Sequence, residues 1–345
     1  MDLKDFSYFL PDELIAQHPC QKRDRSRLLF VDKETEKMED FSFFQLPDFL
    51  QQGDVLVIND SRVIPARIFG KKPTGGILEI LLLTRKESKK ESQTWEVLLR
   101  PAKRLRENDV IALGDNCEAK VSARVSDKKW LLEFFAPDGF DAYLKRFGKA
   151  PLPPYIKRNK GARPDVSDRE RYQTIYAKNP GSIAAPTAGL HFSADVLQAL
   201  KGKGIQIAPI TLHVGYGTFL PIEVNEVEKH VMESEYYEIS EKSSQIINNA
   251  KRIIAVGTTS TRTLESVADN DGYIRAKSGF TNYFIYPGYK FKRVGGLLTN
   301  FHLPQSSLFL LACAFAGTDL IKKAYLHAVE NRYLFYSYGD CMLVL

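Results

Sequence analysis

The run Val55-Leu56-Val57-Ile58 constrains this fold more than any other feature of the sequence. Gly53-Asp54 precede it and Asn59-Asp60 follow. It is too short for a helix, and having no polar alternate position it suits a strand buried on both faces. Asn59, Asp60, Ser61 and Arg62 then fall at its C-terminal end, where open α/β sheets place ligands; a turn rich in Asx hydrogen bonds fits the same residues. Residues 253–256 repeat the pattern and feed Gly257-Thr258-Thr259-Ser260 and a helix. That junction aims backbone N–H groups and the positive end of the helix dipole at an anion. Arg262 falls four residues after Thr258 and shares its helix face. The segment is neither a Walker A loop nor a GxGxxG fingerprint.

A second stretch, residues 181–219, reads GSIAAPTAGLHFSADVLQALKGKGIQIAPITLHVGYGTF. Its small-residue run, Ala184-Ala185-Pro186-Thr187-Ala188-Gly189, offers little to a core but lets a ligand approach the backbone closely. His191 and His213 each stand beside such a turn, with a short helix candidate and an apolar run, 205–212, between them. Further on, Thr299, Asn300 and His302 precede Pro304, and Ser306-Ser307 open an apolar helix reaching Phe315. FTNYFIYPGYKF reads as a hairpin, and Ser337-Tyr338-Gly339-Asp340 as a turn before a final buried strand.

Between 63 and 149 the character changes. Strand-like stretches at 78–83, 95–99, 110–112, 120–124 and 130–135 recur about every ten residues, which predicts a small antiparallel barrel or sandwich. Residues 85–90 read as an exposed hairpin loop. Pro151, Pro153 and Pro154 mark the chain's return. Tyr155, Lys157, Arg158, Lys160, Arg163 and Tyr172 nearby suit either RNA contact or a solvated linker. Asp168 reads as the N-cap of a helix. The expected architecture is α/β: a larger domain, 1–62 and 150–345, with a mixed sheet flanked by helices, and an inserted small antiparallel β-barrel-like domain, 63–149.

The net charge of +6, from 48 basic and 42 acidic residues, allows a nucleic-acid partner without requiring one. The four cysteines show no CxxC pairing and no histidines at ligand spacing, so neither a zinc site nor a disulfide framework is expected. No signal-peptide pattern and no run of about 18 apolar residues appears, which predicts a cytoplasmic chain without a membrane partner.

The segments RDRSRLLFVD, NDSRVIPARIFG, LPPYI, DRERYQTIYA, APTAGLHF, TLHVGYGTF, AVGTTSTRTLES, FIYPGYKF, LLTNFHLPQSSL and FYSYGD together resemble the S-adenosylmethionine:tRNA ribosyltransferase-isomerase family of queuosine biosynthesis. The resemblance covers nearly the whole chain in order and spacing. It implies transfer and isomerisation of the ribosyl part of S-adenosylmethionine onto 7-aminomethyl-7-deazaguanine at the tRNA wobble position, giving epoxyqueuosine, adenine and methionine. The scheme it implies begins with loss of a C5′ proton beside the sulfonium, followed by adenine departure, amine attack and epoxide closure.

Such chemistry needs a base, a proton donor for adenine, and groups that hold the donor. His191, His213 and His302 are the candidates for proton transfer. Thr258, Thr259 and Arg262 suit the methionine carboxylate, and Asp60, Asn300 and Asp340 the ribose hydroxyls or the sulfonium. Arg62, Arg169, Tyr172, Gln173, Thr187 and Gly215 complete the expected substrate contacts. Neither metal nor redox cofactor is implied, since S-adenosylmethionine is consumed; the expected partners are that donor and the modified tRNA, and the expected state is a monomer. Two positions depart from the family pattern: Glu233 stands where histidine is expected and Gly295 where aspartate is. The rivals are an RNA methyltransferase using the same donor and a tRNA-binding module without catalysis.

Overall fold

The computed structural model describes residues 1–89, 91–158 and 166–345. Its contacts divide the chain into two units: Met1–Arg62, Pro153–Lys160 and Arg171–Leu345 form one, and Val63–Leu152 with the described part of Gly161–Glu170 the other.

The first unit is built on a mixed sheet of nine strands. Their order is Lys277–Thr281, Glu235–Ile239, Gln206–Leu212, Asp54–Asn59, Arg252–Val256, Gly296–Asn300, Cys341–Val344, Arg27–Val31, Met38–Ser42. Asp54–Asn59 lies near the middle, parallel to both neighbours, Gln206–Leu212 and Arg252–Val256, and the latter is parallel to Gly296–Asn300. All six residues of Asp54–Asn59 are buried, as the unbroken apolar run requires.

Side chains alternate across the sheet with period two. Val55, Val57, Ile253, Ala255, Leu297, Met342 and Val344 enter one core, together with the helices Ser307–Ala316 and Thr318–Glu330. Leu56, Ile58, Ile254, Val256, Leu298, Cys341 and Leu343 enter the other, closed by Val196 and Leu200 of the helix Ala194–Gly202 and by Phe43 and Leu46. Each buried Val, Leu, Ile or Met among them contributes about 1.5–3 kcal/mol. A slip of one residue would exchange the two sets, so register is strongly fixed.

The second unit contains a closed antiparallel barrel of strands Arg67–Lys71, Ile77–Ser88, Ser92–Arg100, Val110–Gly114, Cys117–Arg124 and Lys129–Phe135. Ile68, Ile80, Val97, Ile111, Val121, Leu132 and Phe134 are fully or almost fully buried in it. Two expectations are corrected here. Ile77–Ser88 runs through most of the supposed hairpin loop at 85–90, and Arg67–Lys71 is a strand that sequence reasoning missed.

Elsewhere, Asp168 is not a cap but sits in the first turn of the helix Val166–Arg171. FTNYFIYPGYKF is not a hairpin: Lys277–Thr281 pairs with Glu235–Ile239, and the rest is irregular. Lys90, Lys160 and Arg163 lie outside the described residues. No described helix is long and apolar enough to cross a membrane.

Candidate active site

Parallel strands end side by side; the residues after Arg252–Val256 and at the end of Gly296–Asn300 line the site, while those after Asp54–Asn59 brace it. Asn59 clamps its own strand to a neighbour: its Oδ1 accepts from Leu212 N at 3.0 Å and Ser61 N at 3.1 Å, while Nδ2 donates to Leu212 O at 3.0 Å. Asp60 is likewise occupied, accepting from Thr211 Oγ1 at 2.7 Å and from Asn179 Nδ2 at 3.1 Å. Arg62 is exposed.

Beyond these strand ends lies a cavity of about 340 Å³, in the size range of a small-molecule site. Residues 184–188 form one wall, where the small side chains leave room. Gly257, Thr258 and Thr259 form another, at the start of the helix Gly257–Val267. Gly257 makes that junction with φ +85°, a conformation that favours glycine. The first N–H groups of a helix have no intrahelical partner, so this wall is suited to an anion. Thr299, Asn300 and His302 continue the lining from the end of the strand Gly296–Asn300, Tyr155, Tyr336 and Ser337 add to it, and Val214, Leu220, Pro221, Ile222, Leu303 and Leu308 give it an apolar side. No Asp, Glu, Lys or Arg stands among the described lining residues.

Among the described residues, His302 is the one imidazole that lines the cavity. Its Nε2 is 2.7 Å from Thr299 Oγ1. Its backbone is held on both sides: the N–H donates to Tyr325 Oη at 3.0 Å, and the carbonyl accepts from Tyr8 Oη. Burial pushes the ring down to a pKa of about 3, so it is neutral at physiological pH. His191 lies behind the wall, with Nδ1 2.7 Å from Ser26 Oγ, Nε2 3.2 Å from Asn300 Nδ2, and its face on Phe43. Burial lowers it to about 4. His213 is elsewhere. Its ring stacks on Tyr236 with centroids 5.5 Å apart and covers Gly181, where a Cβ would come within 2.6 Å of Nε2.

The other expected contacts divide similarly. Thr187, Thr258, Thr259 and Asn300 line the cavity. Arg262 does not: its Nη1 pairs with Glu235 Oε2 at 2.7 Å, both side chains being 4% exposed, and its Nε donates to Tyr283 O. Gly215 donates its N–H to the same Glu235. Asp340 accepts from the backbone of Arg27 and Leu334 and braces the turn before the last strand. Tyr172 is buried edge-on to Tyr338, and Gln173 is half-buried outside the lining. Arg169 belongs to the second unit, where its Nη2 donates to Lys145 O at 2.8 Å.

Sequence reasoning missed Ser337 and Tyr336 as lining residues and left Tyr155 between an RNA contact and a linker. Tyr155 Oη lies 2.6 Å from Ser337 Oγ, a pairing between residues far apart in the chain that no local pattern announces. Of the two departures, Glu233 packs against Gly217, where a Cβ would come within 2.6 Å of its Oε2, and Gly295 lies beside Arg252.

The mixed sheet and its largely apolar cavity, whose described lining carries one imidazole and no Asp, Glu, Lys or Arg, define an α/β enzyme built for a small organic substrate. The chain belongs to the queuosine biosynthesis protein family, whose profile it matches over residues 3–344. It is 54% identical to the S-adenosylmethionine:tRNA ribosyltransferase-isomerase of Syntrophus aciditrophicus and 47% identical to that of Natranaerobius thermophilus. All of this chain is covered in both, as are 100% and 99% of those relatives. The crystal structure of S-adenosylmethionine tRNA ribosyltransferase from Thermotoga maritima is similar with a TM-score of 0.55 and 33% identity, covering 99% of this chain and 100% of that one.

Proposed function

We propose that this chain transfers and isomerises the ribosyl part of S-adenosylmethionine onto 7-aminomethyl-7-deazaguanine at the wobble position of tRNA, with release of adenine and methionine. The observation that carries this reading to the site is the cavity beside His302, whose described lining residues include no Asp, Glu, Lys or Arg. The donor is a sulfonium cation, and a carboxylate at the sulfur would stabilise that cation and make its C5′ protons less acidic. A cavity without a counter-charge leaves the acidity intact.

Neutral His302 takes the C5′ proton. The step moves one positive charge from substrate to imidazole without changing the net charge, so burial, which disfavours both cations, weighs on the two sides alike. That lets a ring of lowered pKa serve as base to an acid activated in the same cavity. The methionine carboxylate sits on the N–H groups of the helix start at residues 257–259, with the Thr258 and Thr259 hydroxyls beside it. Arg262, committed to Glu235, is not needed there. Asn300 offers Oδ1 to a ribose hydroxyl, because its Nδ2 already faces the carbonyls of Tyr336 and Asp340.

The reaction requires neither a metal nor a redox partner, since the sulfonium supplies the activation. A tRNA substrate places the enzyme in the cytoplasm, and one chain contains the whole cavity, which a monomer satisfies. The test is the His302→Gln variant. It should bind S-adenosylmethionine as the wild type does and lose about 100-fold or more in adenine release, as removal of a general base does; undiminished release would refute the role.

A further inference from the structure

We propose that Thr299 is a positioning residue that fixes which nitrogen of His302 carries the proton, so that this one imidazole takes the C5′ proton and returns it to the departing adenine. The inference rests on the reaction proposed above.

Thr299 and His302 both line the cavity and are 1% and 6% exposed. The His302 backbone is held by Tyr325 and Tyr8, whose rings pack edge-on at 5.1 Å, so the point from which the imidazole hangs is fixed. Its Nε2 meets the Thr299 hydroxyl at 2.7 Å, which leaves Nδ1 as the ring nitrogen for the substrate. A hydroxyl both donates and accepts, so the pair admits either tautomer, and the proposed one is that in which Thr299 Oγ1 accepts. When Nε2–H donates to Thr299 Oγ1, Nδ1 carries the lone pair and is the base.

Proton and electron movements then balance. Nδ1 takes the C5′ proton, and the pair left behind becomes the C4′=C5′ bond. The C4′–O4′ pair closes a C1′ carbonyl, and the C1′–N pair leaves with adenine, which receives the proton from Nδ1. The imidazole returns to its starting tautomer with Nε2–H still on Thr299.

Thr299→Val keeps the shape and removes the hydroxyl, whereas Thr299→Ser keeps the hydroxyl. Single-turnover adenine release with S-adenosylmethionine and the modified tRNA is compared with the Kd for S-adenosylmethionine from titration calorimetry. Thr299→Val should slow release about 10- to 100-fold with Kd within about twofold, and Thr299→Ser should recover to within about threefold. Thr299→Ala is expected to match the valine variant and replaces it if that chain does not fold. Full activity of the valine or alanine variant would overturn the proposal, as would a loss of affinity equal to the loss of rate. A wild-type protein that releases no adenine would instead overturn the reaction itself, and this inference with it.

Discussion

Asn300 Nδ2 stands 3.2 Å from Nε2 of His191 and 3.0 Å from the carbonyl of Tyr336. Because an amide nitrogen only donates, Nε2 must accept, and Nδ1–H donates to Ser26 Oγ. His191 is thereby a neutral brace, and Asn300 Oδ1 is left without a partner among the described residues. Asn300→Ala should weaken S-adenosylmethionine binding by roughly 5- to 20-fold, the worth of one hydrogen bond in a dry site. Titration calorimetry checks this, and unchanged affinity would show that Oδ1 meets no ligand.

The two buried imidazoles also set a pH dependence of stability. Burial holds His191 at about 4 and His302 at about 3, both below the ordinary 6.5. The unfolded chain therefore binds more protons than the folded one below pH 6.5. Their contribution is complete above that value and is lost as pH falls toward the folded values, at about 1.4 kcal/mol per pH unit for each ring. Urea unfolding at pH 7.5 and 5.5 should show the drop, and His302→Gln should reduce it by about one ring's share. An equal drop in both proteins would mean that His302 is solvated.

Much of this was legible in the sequence. The central strand, the helix start at Gly257 and the cavity placement of Thr258, Thr259, Asn300 and His302 followed from unbroken apolar runs closed by polar turns. Partners distant in sequence were not legible. Arg262 has a helical address that suits an anion, but Glu235, on another strand, had already neutralised it. His213 sits in a turn as glycine-rich as that of His191, and only the stacking on Tyr236 separates their fates. Glu265 gave no local sign that it would accept from the backbone of Lys292, Arg293 and Val294.

The Arg262–Glu235 pair is structural on this account. Arg262→Met should strand the buried carboxylate and cost about 3–5 kcal/mol, read as a lower Tm. Added S-adenosylmethionine should stabilise the folded variant as much as it does the wild type. Lost ligand stabilisation would return Arg262 to the binding site.

His213 should be dispensable for chemistry. His213→Phe keeps a ring over Gly181 and should leave adenine release within about threefold. Gly181→Ala, whose Cβ would lie 2.6 Å from the ring, should lower Tm with the same small effect on turnover. A large loss of rate in a well-folded His213→Phe variant would move the acid–base centre away from His302.

The central claim is tested most directly by product analysis. Purified protein is mixed with S-adenosylmethionine and tRNA carrying 7-aminomethyl-7-deazaguanine, and the small molecules and digested nucleosides are separated by chromatography. The account predicts adenine and methionine in equal amounts, in step with an epoxycyclopentane-bearing nucleoside. S-adenosylhomocysteine in their place would make the protein a methyltransferase, and tight tRNA binding with no donor consumed would make it a binding module; either result contradicts the account.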